Sequence, residues 1–160
     1  AAGAVCLGLA PQHRWLWPVA ALFIQLRLLA NLMDGLLAVE GERKSPTGAL
    51  FNEFPDRIED SLLLVAAGYG AGYSALGWAA ALLAMGTAYV RALGGAIGLP
   101  QDFCGPMAKQ HRMALLTGGA LASAFVPVTP AVLAVICAGS AITAVRRLLR
   151  QAHALGEAAR

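Results

Sequence analysis

The sequence predicts an all-α, polytopic membrane protein: a bundle of six transmembrane helices, the first of them truncated, forming a single domain over residues 1–160. Two observations carry that expectation. Composition is the first. Hydrophobic residues make up 58% of the chain and charged residues 13%, with a mean hydropathy of +0.63, against about 45–50% apolar and about 25% charged in ordinary soluble domains. Pattern is the second. The apolar residues gather into long segments separated by Gly, Pro and polar breakers, most of them near the roughly 20 residues a helix needs to cross hydrocarbon.

Taken in order, AAGAVCLGLA at 1–10 is about half of a span and is expected to be the tail of a first helix that begins before Ala1. A signal peptide is not expected there, because the stretch has no basic n-region. After the breaker PQHR at 11–14 come apolar segments at 15–38, 48–69, 75–98, 111–127 and 130–149. They are separated by EGERKSPTG at 40–48, GYGAGYSALG at 68–77, GLPQDFCGPMAKQ at 98–110 and VPVTP at 126–130. The last connection is so short that its two helices should form a hairpin. Runs of small residues, GYGAGYSALGWAAALLAMG and LLTGGALASAFV, suit helices that associate by close packing in lipid.

The net charge of +3 does not indicate a nucleic-acid binder, since no basic face interleaved with aromatics exists to carry one. The cations instead sort by loop. Arg43, Lys44, Lys109, Arg112, Arg146, Arg147, Arg150 and Arg160 fall in alternate connections and the tail, whereas the intervening connections hold only Arg14. That bias places both ends of the chain on the cytoplasmic side. Trp15, Trp17 and Trp78 are then expected in an aromatic belt at the opposite surface. Cys6, Cys104 and Cys137 are odd in number and lack metal-site spacing, so they predict neither a disulfide framework nor a zinc site.

The few carboxylates cluster around the second breaker. Asn31, Asp34 and Ala38 share one helical face at i, i+3 and i+7, with Arg27 one turn deeper. On the next helix Asn52 and Asp56 are i, i+4 partners, with Gly48 one turn before and Asp60 one turn after. If the two helices are neighbours, these stripes face each other and oxygen ligands converge, as a hard divalent cation such as Mg²⁺ requires. Without a cation, carboxylates held together in a medium of low dielectric repel, and Arg27 and Arg57 are the alternative neutralisers. Ionisable residues near a membrane span commonly mark a functional path.

Residues 31–56 resemble the signature of the CDP-alcohol phosphatidyltransferase family, D-x2-D-G-x2-A-R-x8-G-x3-D-x3-D. The chain has Asn31, Asp34, Gly35, Ala38, Val39, Gly48, Asn52 and Asp56 at those positions, and every spacing holds across the 26 residues. The resemblance implies an integral-membrane enzyme, in a bacterial plasma membrane with its site facing the cytoplasm. It would transfer a phosphatidyl group from CDP-diacylglycerol to an acceptor alcohol in phospholipid synthesis, releasing CMP and using Mg²⁺ or Mn²⁺. It further implies that Asn31, Asp34, Asn52 and Asp56 form the metal shell, with Asp56 also the general base, and that Asp34, Gly35, Ala38 and Gly48 receive the nucleotide. Arg91, Lys109 and Arg112 match basic positions that form an anion pocket in members whose acceptors carry phosphate. A homodimer is implied as well.

Three positions depart from the signature: Asn31 and Asn52 stand where the family usually has Asp, and Val39 where it has Arg. Two fewer negative charges weaken cation binding. The departures motivate an alternative, a catalytically weakened or inactive homologue that binds lipid or nucleotide as a membrane partner. A small transporter is a third class, opposed by the clustering of acids at one surface and by the lack of an evident repeat between the two halves.

Overall fold

The computed structural model describes residues 1–40 and 48–158, and among these the side chains of all but 34, 35, 37–40 and 48–52. The described residues are all-helical. Six helices follow one another: α1 Ala2–Leu9, α2 Leu16–Glu40, α3 Gly48–Gly70, α4 Ser74–Ala96, α5 Lys109–Ser123 and α6 Thr129–Ala158. Each apolar segment read from the sequence is a helix, with shifted ends. Pro18 falls in the first turn of α2, where its missing N–H leaves no intrahelical bond unmade. The turn between α3 and α4 is closed by Gly72, whose φ of 76° lets Tyr73 N–H bond Gly68 O at 2.8 Å and Gly72 N–H bond Tyr69 O at 3.1 Å. This pair of bonds is the Schellman pattern, which satisfies the last carbonyls of a helix.

Among the described residues, three helices are long and apolar enough to cross a membrane: Leu16–Met33 within α2, α4 and α6. Their outer faces carry Leu22, Leu29, Leu82, Ile142 and Leu149 exposed, an apolar surface too extensive for a water-soluble monomer. The chain is therefore read as a membrane protein. α3 has the length but carries Glu53, Asp56, Arg57, Glu59 and Asp60 within its first thirteen residues. α5 has 15 residues, about 22 Å at the usual helical rise.

α3 packs along α4, α4 along α6, α5 against both α2 and α6, and α1 against both α2 and α3. A close crossing joins α3 and α4 at Gly68 and Gly77: a Cβ on Gly77 would lie 2.9 Å from Gly68 Cα and 2.9 Å from Leu64 O. Backbones can approach this closely only where side chains are absent. Leu7, Ile24, Leu64, Met113, Leu116, Leu133 and Ile136 are fully buried at the centre, surrounded by Ala20, Ala67, Ala80, Ala84 and Ala120.

Several expectations change. α2 and α3 are not packed directly side by side throughout, because α1 is wedged between them, with Gly3 placed so that a Cβ would meet Phe23 at 3.2 Å and Leu63 at 3.3 Å. Beyond the start of α1, long polar side chains bridge the two helices instead. Trp17 is 7% exposed and belongs to the core with Ala20, Ala21 and Ile24 on the inward face of α2, whereas Trp15 and Trp78 are exposed as a surface belt requires. α6 runs to Ala158 and not to 149, because Gln151 continues the inward stripe of Thr143 and Arg147 and donates to Val90 O at 2.9 Å. α5 ends at Ser123, where Ser123 and Thr129 hydroxyls bond each other at 2.7 Å across the hairpin.

Candidate functional site

Successive helices alternate in direction, so the C-terminal parts of α2, α4 and α6 and the N-terminal parts of α3 and α5 gather at one end of the bundle. Arg27 is the hub between α2 and α3. Its Nη2 donates to Asp56 Oδ1 at 2.8 Å and to Asp56 O at 3.2 Å, its Nη1 to Asp60 Oδ1 at 2.7 Å, and its Nε to Glu59. One guanidinium thus serves three carboxylates spaced at i, i+3 and i+4 on one face of α3, a match to its planar fork of donors.

Asp56 is saturated. Besides Arg27, its Oδ1 accepts from Asn31 Nδ2 at 2.7 Å, and its Oδ2 accepts from Lys109 at the first residue of α5. Asp60, one turn deeper and 2% exposed, turns Oδ2 toward Arg57 Nη1 and Arg112 Nη2, each 3.7 Å away. Arg112, 1% exposed, donates to Met107 O at 3.0 Å and to Thr87 Oγ1 at 3.2 Å. An internal arginine of this kind is tolerable only when an opposite charge and carbonyl acceptors surround it.

Beside this network lies a cavity of about 400 Å³. Among the described residues, Arg57, Arg91, Lys109, Arg112 and Arg147 line it with two carboxylates, Glu53 and Asp56, and with Thr87, Ala88, Phe103, Ala108 and Gln110. Glu53 pairs with Arg91 and, at 3.1 Å, with Arg57. Arg91 also lies over the Phe103 ring, 4.8 Å from its centroid, which holds the guanidinium in place by a cation–π contact. Arg147 reaches in from α6, donating Nε to Cys104 O at 2.9 Å and Nη1 to Thr87 O at 2.8 Å. Counted over the described lining side chains, the wall carries an excess of three positive charges, which suits an anion with several acceptor oxygens.

Of the residues singled out from the sequence, the structure brings Asn31 and Asp56 into contact and lines one cavity with Arg91, Lys109 and Arg112. The side chains of Asp34, Gly35, Ala38, Gly48 and Asn52 lie outside the described residues, as do those of Val39, Arg43 and Lys44. Glu53, one turn before Arg57 on α3, pairs with Arg91 and Arg57. His111 is exposed and lines a separate apolar groove with Leu115, Gly118 and Val132. Sequence reasoning missed Arg147, which charge counting assigned to topology alone. The signal was available in the spacing: Thr143, Arg147 and Gln151 recur at i, i+4 and i+8, and all three are buried while Arg146 is exposed.

Among the described residues, no group of three or more His, Cys, Asp or Glu side chains is arranged to hold a metal ion. Asn31 and Asp56 nevertheless fit a hard cation in kind, a carboxamide and a carboxylate brought together from two helices. The positive charge such a cation would bring to Asp56 is already supplied by Lys109 and Arg27.

What the fold and the site define, among the described residues, is an all-helical protein with three candidate membrane-spanning helices and a cation-rich cavity beside a part-buried carboxylate network at one end. No protein-family model matches this chain, and no curated protein matches it at a significant level.

Proposed function

We propose that the chain is a six-span phosphotransferase of the CDP-alcohol phosphatidyltransferase type. It takes CDP-diacylglycerol as donor and an acceptor alcohol that carries a phosphate, with its site at the cytoplasmic surface of a bacterial plasma membrane. The observation that carries the reading is the contact between Asn31 and Asp56, the two ends of the signature, beside a cavity with excess positive charge. The loop distribution of Lys and Arg supports the orientation.

On this reading the cavity takes the acceptor's phosphate through Arg91, Lys109, Arg112 and Arg147. The acceptor hydroxyl is thereby held toward Asp56, which lines the same wall. The hydroxyl oxygen bonds to the β-phosphorus of the donor, the bond from that phosphorus to the oxygen bridging the two phosphates breaks, and CMP leaves with that oxygen and its electron pair. Asp56 takes the hydroxyl proton once one of its cationic partners has withdrawn. Asn31, Asp34, Asn52 and Asp56 are the residues that would hold Mg²⁺ or Mn²⁺. The chemistry supplied by the bound ion is neutralisation of the diphosphate and of the charge that develops on CMP.

A second reading is favoured by one observation: Asp56 is engaged by Arg27, Asn31 and Lys109, and Asn31 offers it a donor. That is the state of a homologue that keeps the bundle and binds lipid or nucleotide without turnover. CMP release from CDP-diacylglycerol, followed with Mn²⁺ and with EDTA across glycerol phosphate, inositol phosphate, inositol and serine, separates the two. Metal-dependent release with a phosphorylated acceptor is expected. A folded protein that releases no CMP with any acceptor is the binding homologue.

A further inference from the structure

We propose that Lys109 is an exchangeable counter-ion that couples the two halves of the site: it neutralises Asp56 until an anionic ligand enters the cavity, then moves onto that ligand's phosphate and frees Asp56. The inference rests on the phosphotransferase reading and adds to it a coupling between binding of the acceptor's phosphate and binding of the cation.

The partners of Asp56 differ in what each would leave behind on withdrawing. Arg27 also holds Glu59 and Asp60, so its withdrawal would strip three carboxylates at once. Asn31 is neutral, and its departure would release no charge. Lys109 carries a compact charge on a flexible four-carbon stem, and among the described residues its ionic partner is Asp56 alone. It is also the one partner of Asp56 that lines the cavity, together with Arg57, Arg91, Arg112 and Arg147. A phosphomonoester in that cavity offers a charge of nearly −2 and three acceptor oxygens, against the single charge of a carboxylate that Arg27 and Asn31 already serve.

Once Lys109 has moved, the balance behind it changes. Arg27 then faces Asp56, Glu59 and Asp60 as their shared cation, with only the more distant Arg57 and Arg112 on the far side of Asp60. Asp56 Oδ2 is released, and the locality gains one uncompensated negative charge. That charge favours a divalent cation at the Asn31–Asp56 junction and equips Asp56 to accept a proton. The phosphate thus draws the ammonium away, and the cation replaces it. Because the linkage is thermodynamic, a cation must strengthen phosphate binding by the factor by which phosphate strengthens cation binding.

The test is Mn²⁺ binding to the full chain in detergent, read from loss of the free-ion electron paramagnetic resonance signal with and without inorganic phosphate. Protein-free samples correct for complexes in solution. In the wild type, phosphate is expected to raise Mn²⁺ affinity about tenfold, within the range of coupled sites. Lys109→Met should bind Mn²⁺ more tightly than wild type without phosphate and gain little from its addition, whereas Lys109→Arg should keep the coupling. Circular dichroism verifies that each variant is helical, and Lys109→Gln replaces a Met variant that does not fold. Wild-type affinity unchanged by phosphate, or undiminished coupling in the neutral variant, overturns the exchange and leaves the phosphotransferase reading standing. Absence of Mn²⁺ binding under both conditions overturns that reading and the exchange with it.

Discussion

Replacing Asp60 by Asn is the sharpest probe of the network, because it removes one charge and almost no volume. Asp60 is 2% exposed; it accepts from Arg27 at 2.7 Å and faces Arg57 and Arg112 at 3.7 Å. At an effective dielectric of about 20, unit charges about 3.7 Å apart attract by about 4.5 kcal/mol. Much of that attraction offsets desolvation of the ions, so the loss on removing one partner of such a buried pair is about 3–5 kcal/mol. An Asn can still accept one bond from Arg27, which puts Asp60→Asn near the low end, about 3 kcal/mol. Most of this loss arises from the uncompensated charge of Arg112. The double variant Asp60→Asn with Arg112→Met should therefore recover at least half of it, a coupling that a thermodynamic cycle isolates. Reversible unfolding in mixed micelles measures all four proteins. A loss below about 0.5 kcal/mol for Asp60→Asn, the scale of an ordinary surface substitution, refutes the view that Asp60 is the electrostatic anchor of this end of the bundle.

Two further predictions address packing and the cavity. Gly77→Ala places a Cβ within 3.0 Å of the Gly68, Leu64 and Val65 backbones, so α3 and α4 must separate, at a cost of about 1–3 kcal/mol. Gly86→Ala, where a Cβ meets nothing within 4 Å, should change the thermal midpoint little or raise it slightly. Arg147→Gln removes charge-assisted donors to Cys104 O and Thr87 O at the cavity wall. On the proposed function it should raise KM for a phosphorylated acceptor by about 10- to 100-fold, the range of a lost charged hydrogen bond, with KM for CDP-diacylglycerol unchanged. Equal changes in both would assign Arg147 to the fold alone.

The helices were legible because their signal is local. Breakers such as PQHR and VPVTP interrupt apolar runs, and hydrogen bonds within each run satisfy its backbone whatever lies beside it. The ends were less legible. Gln151 extends α6 only because Val90 of another helix offers it a carbonyl, and Trp17 joins the core only because α2 turns that face inward. The site divides in the same way. The periodicity of Asn31, Asp56 and Asp60 put them on facing stripes, and the basic residues at helix ends marked one surface of the bundle. Which cation meets which carboxylate was not written in any one segment. Lys109 lies 53 residues from Asp56 along the chain, and its choice of Asp56 follows from where α5 starts relative to α3.

The sequence by itself determined that the described residues are helical and apolar and, to within shifted ends, where the helices fall, and it singled out the polar residues near 31–56 as candidates, since composition and period are properties of each segment. Only the tertiary structure decided that α1 separates α2 from α3, that Arg27 gathers Asp56, Glu59 and Asp60, and that Arg57, Arg91, Lys109, Arg112 and Arg147 share one cavity. Those are pairings of charges across helices. They depend on the relative placement of the elements, because electrostatic energy in a medium of low dielectric is set by separations of a few ångströms.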